Sequence, residues 1–165
     1  MLRRVIAALM CCAVTGALLA GPAEARQRVD DPPRAPSADV PLDQRDAGWR
    51  TSSDLAWATT GNTAGFHVLA AREQDGYAWR TVATLAEPGL ETDMWVGNAC
   101  LTGSGRRLVV AYAPRAFTNR QVMADRGAFA AIVNLSTGAV TKLDIRVSLA
   151  YFNPGCGAGE IAVLT

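Results

Sequence analysis

Three carboxylates, Glu87, Glu91 and Asp93, stand in one loop just before Trp95. Paired carboxylates beside an aromatic ring are the equipment of glycoside hydrolysis, where one protonates the leaving group and the other attacks or activates water. The same oxygens could hold a sugar or a calcium ion, although a calcium loop places its acidic residues at tighter alternate spacing. A solvated acidic loop on a neutral protein is the plainer reading and carries more weight. Glu87, Glu91, Asp93 and Trp95 are therefore a candidate binding loop, and no residue is assigned a catalytic role.

The other reactive side chains are few. The chain has four cysteines and a single histidine, His67. Cys11 and Cys12 lie in an N-terminal apolar segment that is expected to be removed, which leaves Cys100 and Cys156. An even pair in an oxidising compartment reads as a disulfide. It would close a loop of about 57 residues and contribute roughly 4 kcal/mol by constraining the unfolded chain. Two cysteines and one histidine without a short-spaced ligand pair make a poor zinc site, and neither a metal nor another cofactor is expected.

His67, flanked by Phe66 and Val68, is expected to point outward from a strand or to be satisfied by a backbone group. Ser104 in Gly103-Ser104-Gly105 lacks the Gly-x-Ser-x-Gly pattern of a nucleophile elbow. Gly155-Cys156-Gly157-Ala158-Gly159 precedes an apolar, β-like run and opens no helix, so it reads as a tight turn and not a phosphate loop.

The N-terminus has the three parts of a secretory signal. Arg3 and Arg4 precede the apolar run from Val5 to Ala20, and Ala23-Glu24-Ala25 supplies small residues for cleavage after Ala25. The run is shorter than the ~20 residues that span a bilayer, and Met10 before Cys11 argues against a lipid anchor. Residues 1–25 are thus read as a signal peptide, and the protein as secreted and extracellular, with no stable membrane anchor afterwards. Residues 26–47 hold Pro32, Pro33, Pro36 and Pro41 among polar residues and read as a disordered linker. Beyond residue 25 acidic and basic residues balance, so no electrostatic case exists for nucleic acid.

Residues 48–165 contain many short apolar runs separated by Gly turns, with no long helical period, which indicates an all-β fold. Tyr77 to Leu85 alternates as a strand after Asp75-Gly76, and Phe129 to Val133 and Ala139 to Leu143 flank the turn Ser136-Thr137-Gly138. Gln121 to Asp125 suits one helical turn. A motif then decides the architecture. Asn98, Cys100 and Gly103-Ser104-Gly105 lead into Leu108-Val109-Val110-Ala111; Asn153, Cys156 and Gly157-Ala158-Gly159 lead into Ile161-Ala162-Val163-Leu164. The offset is about fifty residues, the size of one four-stranded propeller blade.

The expectation is a partial β-propeller-like array. Residues 50–90 would form one blade, 95–145 the next and 150–165 the opening of a third, with the apolar run after each Cys motif buried on both faces. A small β-sandwich is the alternative. An array that stops at Thr165, inside a strand, predicts the N-terminal part of a longer protein.

Gly48-Trp49-Arg50-Thr51-Ser52-Ser53-Asp54, residues 95–107 from Trp95-Val96-Gly97-Asn98-Ala99-Cys100 onward, and Asn153-Pro154-Gly155-Cys156-Gly157-Ala158-Gly159-Glu160 resemble the N-terminal part of large secreted actinobacterial, Streptomyces-like proteins. The resemblance implies a signal peptide and Pro-rich linker leading into a propeller-like region. It implies an extracellular role and supplies no catalytic residues. The expected function is a non-enzymatic binding or scaffold module with an extracellular protein or glycan partner. The alternative is a secreted hydrolase of polysaccharide or cell-wall material.

Overall fold

Strands dominate the computed structural model, which describes residues 48–165. The signal peptide with Ala23 and Ala25, Cys11, Cys12 and the linker 26–47 lie outside the described residues. Strands β1 (Leu55–Gly61), β2 (Phe66–Arg72) and β3 (Arg80–Leu85) form one antiparallel sheet in that order. Strands β4 (Trp95–Leu101), β5 (Arg107–Pro114), β6 (Ala128–Asn134) and β7 (Val140–Val147) form a second, also antiparallel and in sequence order. Two short helices, α1 (Ala116–Asn119) and α2 (Gln121–Ala124), bridge β5 and β6. A small hairpin, β8 (Gly155–Cys156) with β9 (Ala162–Val163), follows. The fold is all-β, and its sheets are open.

Alternation along the strands explains the core. Phe66, Val68 and Ala70 of β2 and Ala83 and Leu85 of β3 face Leu108, Val110 and Tyr112 of β5 and Ala131 and Val133 of β6, all buried in one cluster between the sheets. Each large side chain removed from water there contributes about 1.5–3 kcal/mol. The opposite faces of β5 and β6 present Ala111, Ala113, Ala128 and Ala130 to Phe117 of α1, Met123, Leu149 and Leu164. Central strands covered on both faces account for the unbroken apolar run from Leu108 to Ala113.

The sheets also meet at their ends. Asn62 in the β1–β2 turn accepts a hydrogen bond at its carbonyl from the Trp95 amide, 3.0 Å away. Arg80 donates to the Leu135 carbonyl at 3.1 Å. Gly61 lies so close to the Trp95 carbonyl that a Cβ would collide with it. This approach, more than turn geometry, requires glycine at that position.

Four expectations are corrected. The segment 50–90 supplies three strands to its sheet among the described residues, so it is not a four-stranded blade. The strand expected from Tyr77 begins at Arg80, because Gly76 and Tyr77 both take positive φ (71° and 56°) and bend the chain after a 3-10 turn at Glu73–Asp75. A register shift opposite Val68 and Leu69 then leaves Val82 without a partner in β2 and breaks the alternation. Finally, the run after the second Cys motif is not buried on both faces. Strand β9 is two residues long and among the described residues pairs only with β8, which leaves Ile161 66% and Val163 61% exposed.

Candidate functional site

The two Cys motifs touch each other. Cys100, opposite Val109 in the β4–β5 pair, is bonded to Cys156 of β8, with Cα atoms 5.6 Å apart. Around this cross-link the matching turns interlock. The Ser104 amide donates to the Gly159 carbonyl at 3.2 Å, and the Ser104 hydroxyl donates to the Glu160 carboxylate. Arg107 pairs with the other Glu160 oxygen at 3.1 Å. A Cβ on Gly103 would stand 2.6 Å from the Gly159 nitrogen, so the turns meet backbone to backbone. The Ser104 hydrogen bond and the Arg107 charge hold the Glu160 carboxyl below its ordinary range.

The asparagines of the two motifs fasten the chain entering and leaving the hairpin. Asn98 donates to the Ala150 carbonyl at 2.9 Å. Asn153 is buried and precedes a cis peptide bond to Pro154. Its amide nitrogen donates to the Ser148 carbonyl at 2.6 Å, and its side-chain oxygen accepts from the Thr165 amide at 3.0 Å. The result is a clasp of one covalent bond and several polar ones. Beside it Tyr151 and Phe152 are 93% and 63% exposed and stack edge to face, 5.4 Å between centroids.

Two of the three carboxylates of the acidic loop have ion-pair partners within the chain. Tyr112, fully buried in the core, donates its hydroxyl to Glu87, and Lys142 pairs with the same carboxylate oxygen at 2.8 Å. Burial alone would raise the Glu87 carboxyl. Hydrogen bonds from Lys142 and Tyr112, with the charges of Lys142 and Arg146, outweigh it and keep Glu87 below its ordinary value of 4.5. Burial, then the bond to Glu87, pushes the Tyr112 hydroxyl far above its ordinary value. Glu87 is therefore ionised near neutral pH and does not supply the proton that a general acid gives.

Asp93 pairs with Arg115 at the surface. Glu91 is exposed and forms no ion pair among the described residues. Trp95 is 2% exposed and packs against Tyr112 and Phe129, with centroids 6.0 and 6.4 Å away. It is therefore a core residue, withdrawn from any ligand that the loop would meet.

His67 also departs from expectation, being buried and satisfied by side chains. Its Nδ1 lies 2.9 Å from the Thr84 hydroxyl and its Nε2 2.9 Å from Asn62 Oδ1. That Asn62 oxygen also accepts from the Ala64 and Gly65 amides. Nε2 therefore carries the proton, and Nδ1 accepts from Thr84. Burial lowers the imidazole pKa. Among the described residues no three of His, Cys, Asp and Glu converge closely enough to hold a metal ion, and no helix is long and apolar enough to cross a membrane.

Sequence reasoning paired the cysteines but missed Tyr112, Lys142 and Asn62. The available signals were a tyrosine within an otherwise aliphatic strand, which needs a polar partner when buried, and a lone lysine in a chain whose other basic residues are arginines. Comparison with known protein families, curated proteins and solved structures finds no match.

Proposed function

We propose that the protein is a secreted, non-enzymatic binding or scaffold module that docks through the β8–β9 hairpin. The observation that carries this reading is the contrast between the two candidate surfaces. Glu87 and Asp93 have ion-pair partners within the chain, whereas Tyr151 and Phe152, just before the hairpin, and Ile161 and Val163, on it, stand exposed in the segment that the disulfide ties down. Four large apolar side chains exposed within one short segment point to an interaction site. The edge of β9 away from β8 carries no strand among the described residues. A partner protein that adds an apolar strand along that edge satisfies both the backbone groups and the side chains.

In the finer form of this reading, the β4–β7 sheet is one propeller-like unit and β8–β9 opens the next. Its support is that both Cys motifs begin antiparallel hairpins. The resemblance to secreted actinobacterial proteins and the signal sequence favour an extracellular setting, and so does the disulfide. The hydrolase alternative is tested by incubating the protein with polysaccharide and peptidoglycan and measuring released reducing ends. No release is expected. Hydrolysis that is lost in Glu87→Gln would establish the hydrolase instead.

A further inference from the structure

A cavity of about 570 Å³ opens between the α1–α2 bridge and the segment that follows β7. Small-molecule sites occupy roughly 300–1,000 Å³. The space exists because strands β5 and β6 are unequal on their two faces. Toward the first sheet they present Val110, Tyr112 and Val133; toward the cavity they present Ala113 and Ala128. Phe117, Val147 and Leu149 complete an apolar floor.

The rim is polar, and most of it is committed. Thr118 donates its hydroxyl to the Arg115 carbonyl at 2.8 Å, Asp125 accepts from Gln121 at 3.0 Å, and the Ser148 hydroxyl accepts from the Ala150 amide at 3.2 Å. Arg146 also borders the cavity, but its guanidinium lies over the Phe129 ring, 3.8 Å from the centroid. Arg126 differs: among the described residues its guanidinium forms no ion pair. An uncommitted guanidinium beside an apolar floor is complementary to a molecule with an apolar body and one carboxylate.

We propose that this cavity binds a small amphiphilic carboxylate, an acyl chain or apolar ring whose acid group pairs with Arg126. The cavity shares Ser148, Ala150 and Thr165 with the segment that the clasp fastens, but Phe117, Ala128 and Arg126 lie on other elements, and the site does not depend on the docking role proposed for the hairpin. Phe117, Ala128 and Val147 take the apolar body, and Arg126 sets the preference for an acid over a neutral molecule of equal size.

The test is calorimetric titration of the protein with octanoate and with 1-octanol as the uncharged counterpart. Octanoate should bind with saturation at one per chain. Arg126→Gln, a surface change, should weaken octanoate roughly five-fold and leave octanol within about two-fold. Ala124→Phe, which plugs the opening from an exposed helix position, should weaken both. Absence of saturable octanoate binding would overturn the proposal, as would an affinity unchanged in Arg126→Gln. Binding lost in Tyr151→Ser/Phe152→Ser but kept in Ala124→Phe would assign the ligand to the hairpin and overturn it as well.

Discussion

Ser104, in the turn after β4, donates its hydroxyl to Glu160, in the turn after β8, across 56 residues of sequence. Each stands four residues after the cysteine of its motif, and their contact makes the two motifs one structural unit. Cys100–Cys156 supplies the covalent part, and Arg107–Glu160 the charge.

Replacing both cysteines by serine should lower stability by about 4 kcal/mol, the chain-entropy value for a loop of this length. Urea unfolding of the oxidised protein and of the double variant measures it. A difference near zero would mean that the polar contacts alone hold the hairpin.

Glu87→Gln leaves Lys142 without its anion and weakens the acceptor of the buried Tyr112 hydroxyl, at a cost of about 1–3 kcal/mol. The pH dependence follows from the sign of each shift. The folded Glu87 carboxyl lies below 4.5, so its contribution is complete above 4.5 and is lost as pH falls through the folded value. Tyr112 is raised above 10, so its contribution is complete below 10 and is lost as pH rises toward the folded value. Ultraviolet titration should show one of the three tyrosines ionising only with unfolding. In Glu87→Gln it should ionise earlier; an unchanged titration would remove the coupling.

His67 is buried and titrates below 6.5 in the fold, whereas the unfolded chain returns to 6.5. Its contribution is present above 6.5 and is lost as pH falls from there toward the lowered value. With one histidine in the chain, its ring resonances in a nuclear magnetic resonance titration report this directly. A midpoint at or above 6.5 would contradict the buried, Nε2-protonated ring.

Tyr151→Ser/Phe152→Ser should leave stability within about 0.5 kcal/mol, as exposed substitutions do. Retention on a hydrophobic-interaction column should fall. A large loss of stability would show that these rings are packed in solution and would remove them from the proposed docking surface.

Strands β4 to β7 are legible in the sequence because their signals are local: apolar runs bounded by turns at Gly105 and Gly138, both at positive φ. The disulfide was legible from count and compartment. The Glu87–Tyr112–Lys142 cluster was not, because it joins three separate segments through the register of β5 and β7, and no spacing within one segment reports it. Nor does the sequence near Trp95 report which side chains cover it. Its place against Tyr112 and Phe129 is set by the sheet, where β5 lies between β4 and β6.

Hydrogen exchange read by mass spectrometry, with and without reduction by a dithiol, tests the clasp most directly. The clasp predicts that reduction speeds exchange across residues 148–165, whose hairpin has only two short strands, while the buried strands β5 and β6 stay protected. Unchanged exchange in residues 148–165 after complete reduction would contradict the claim that the disulfide holds the β8–β9 hairpin in place.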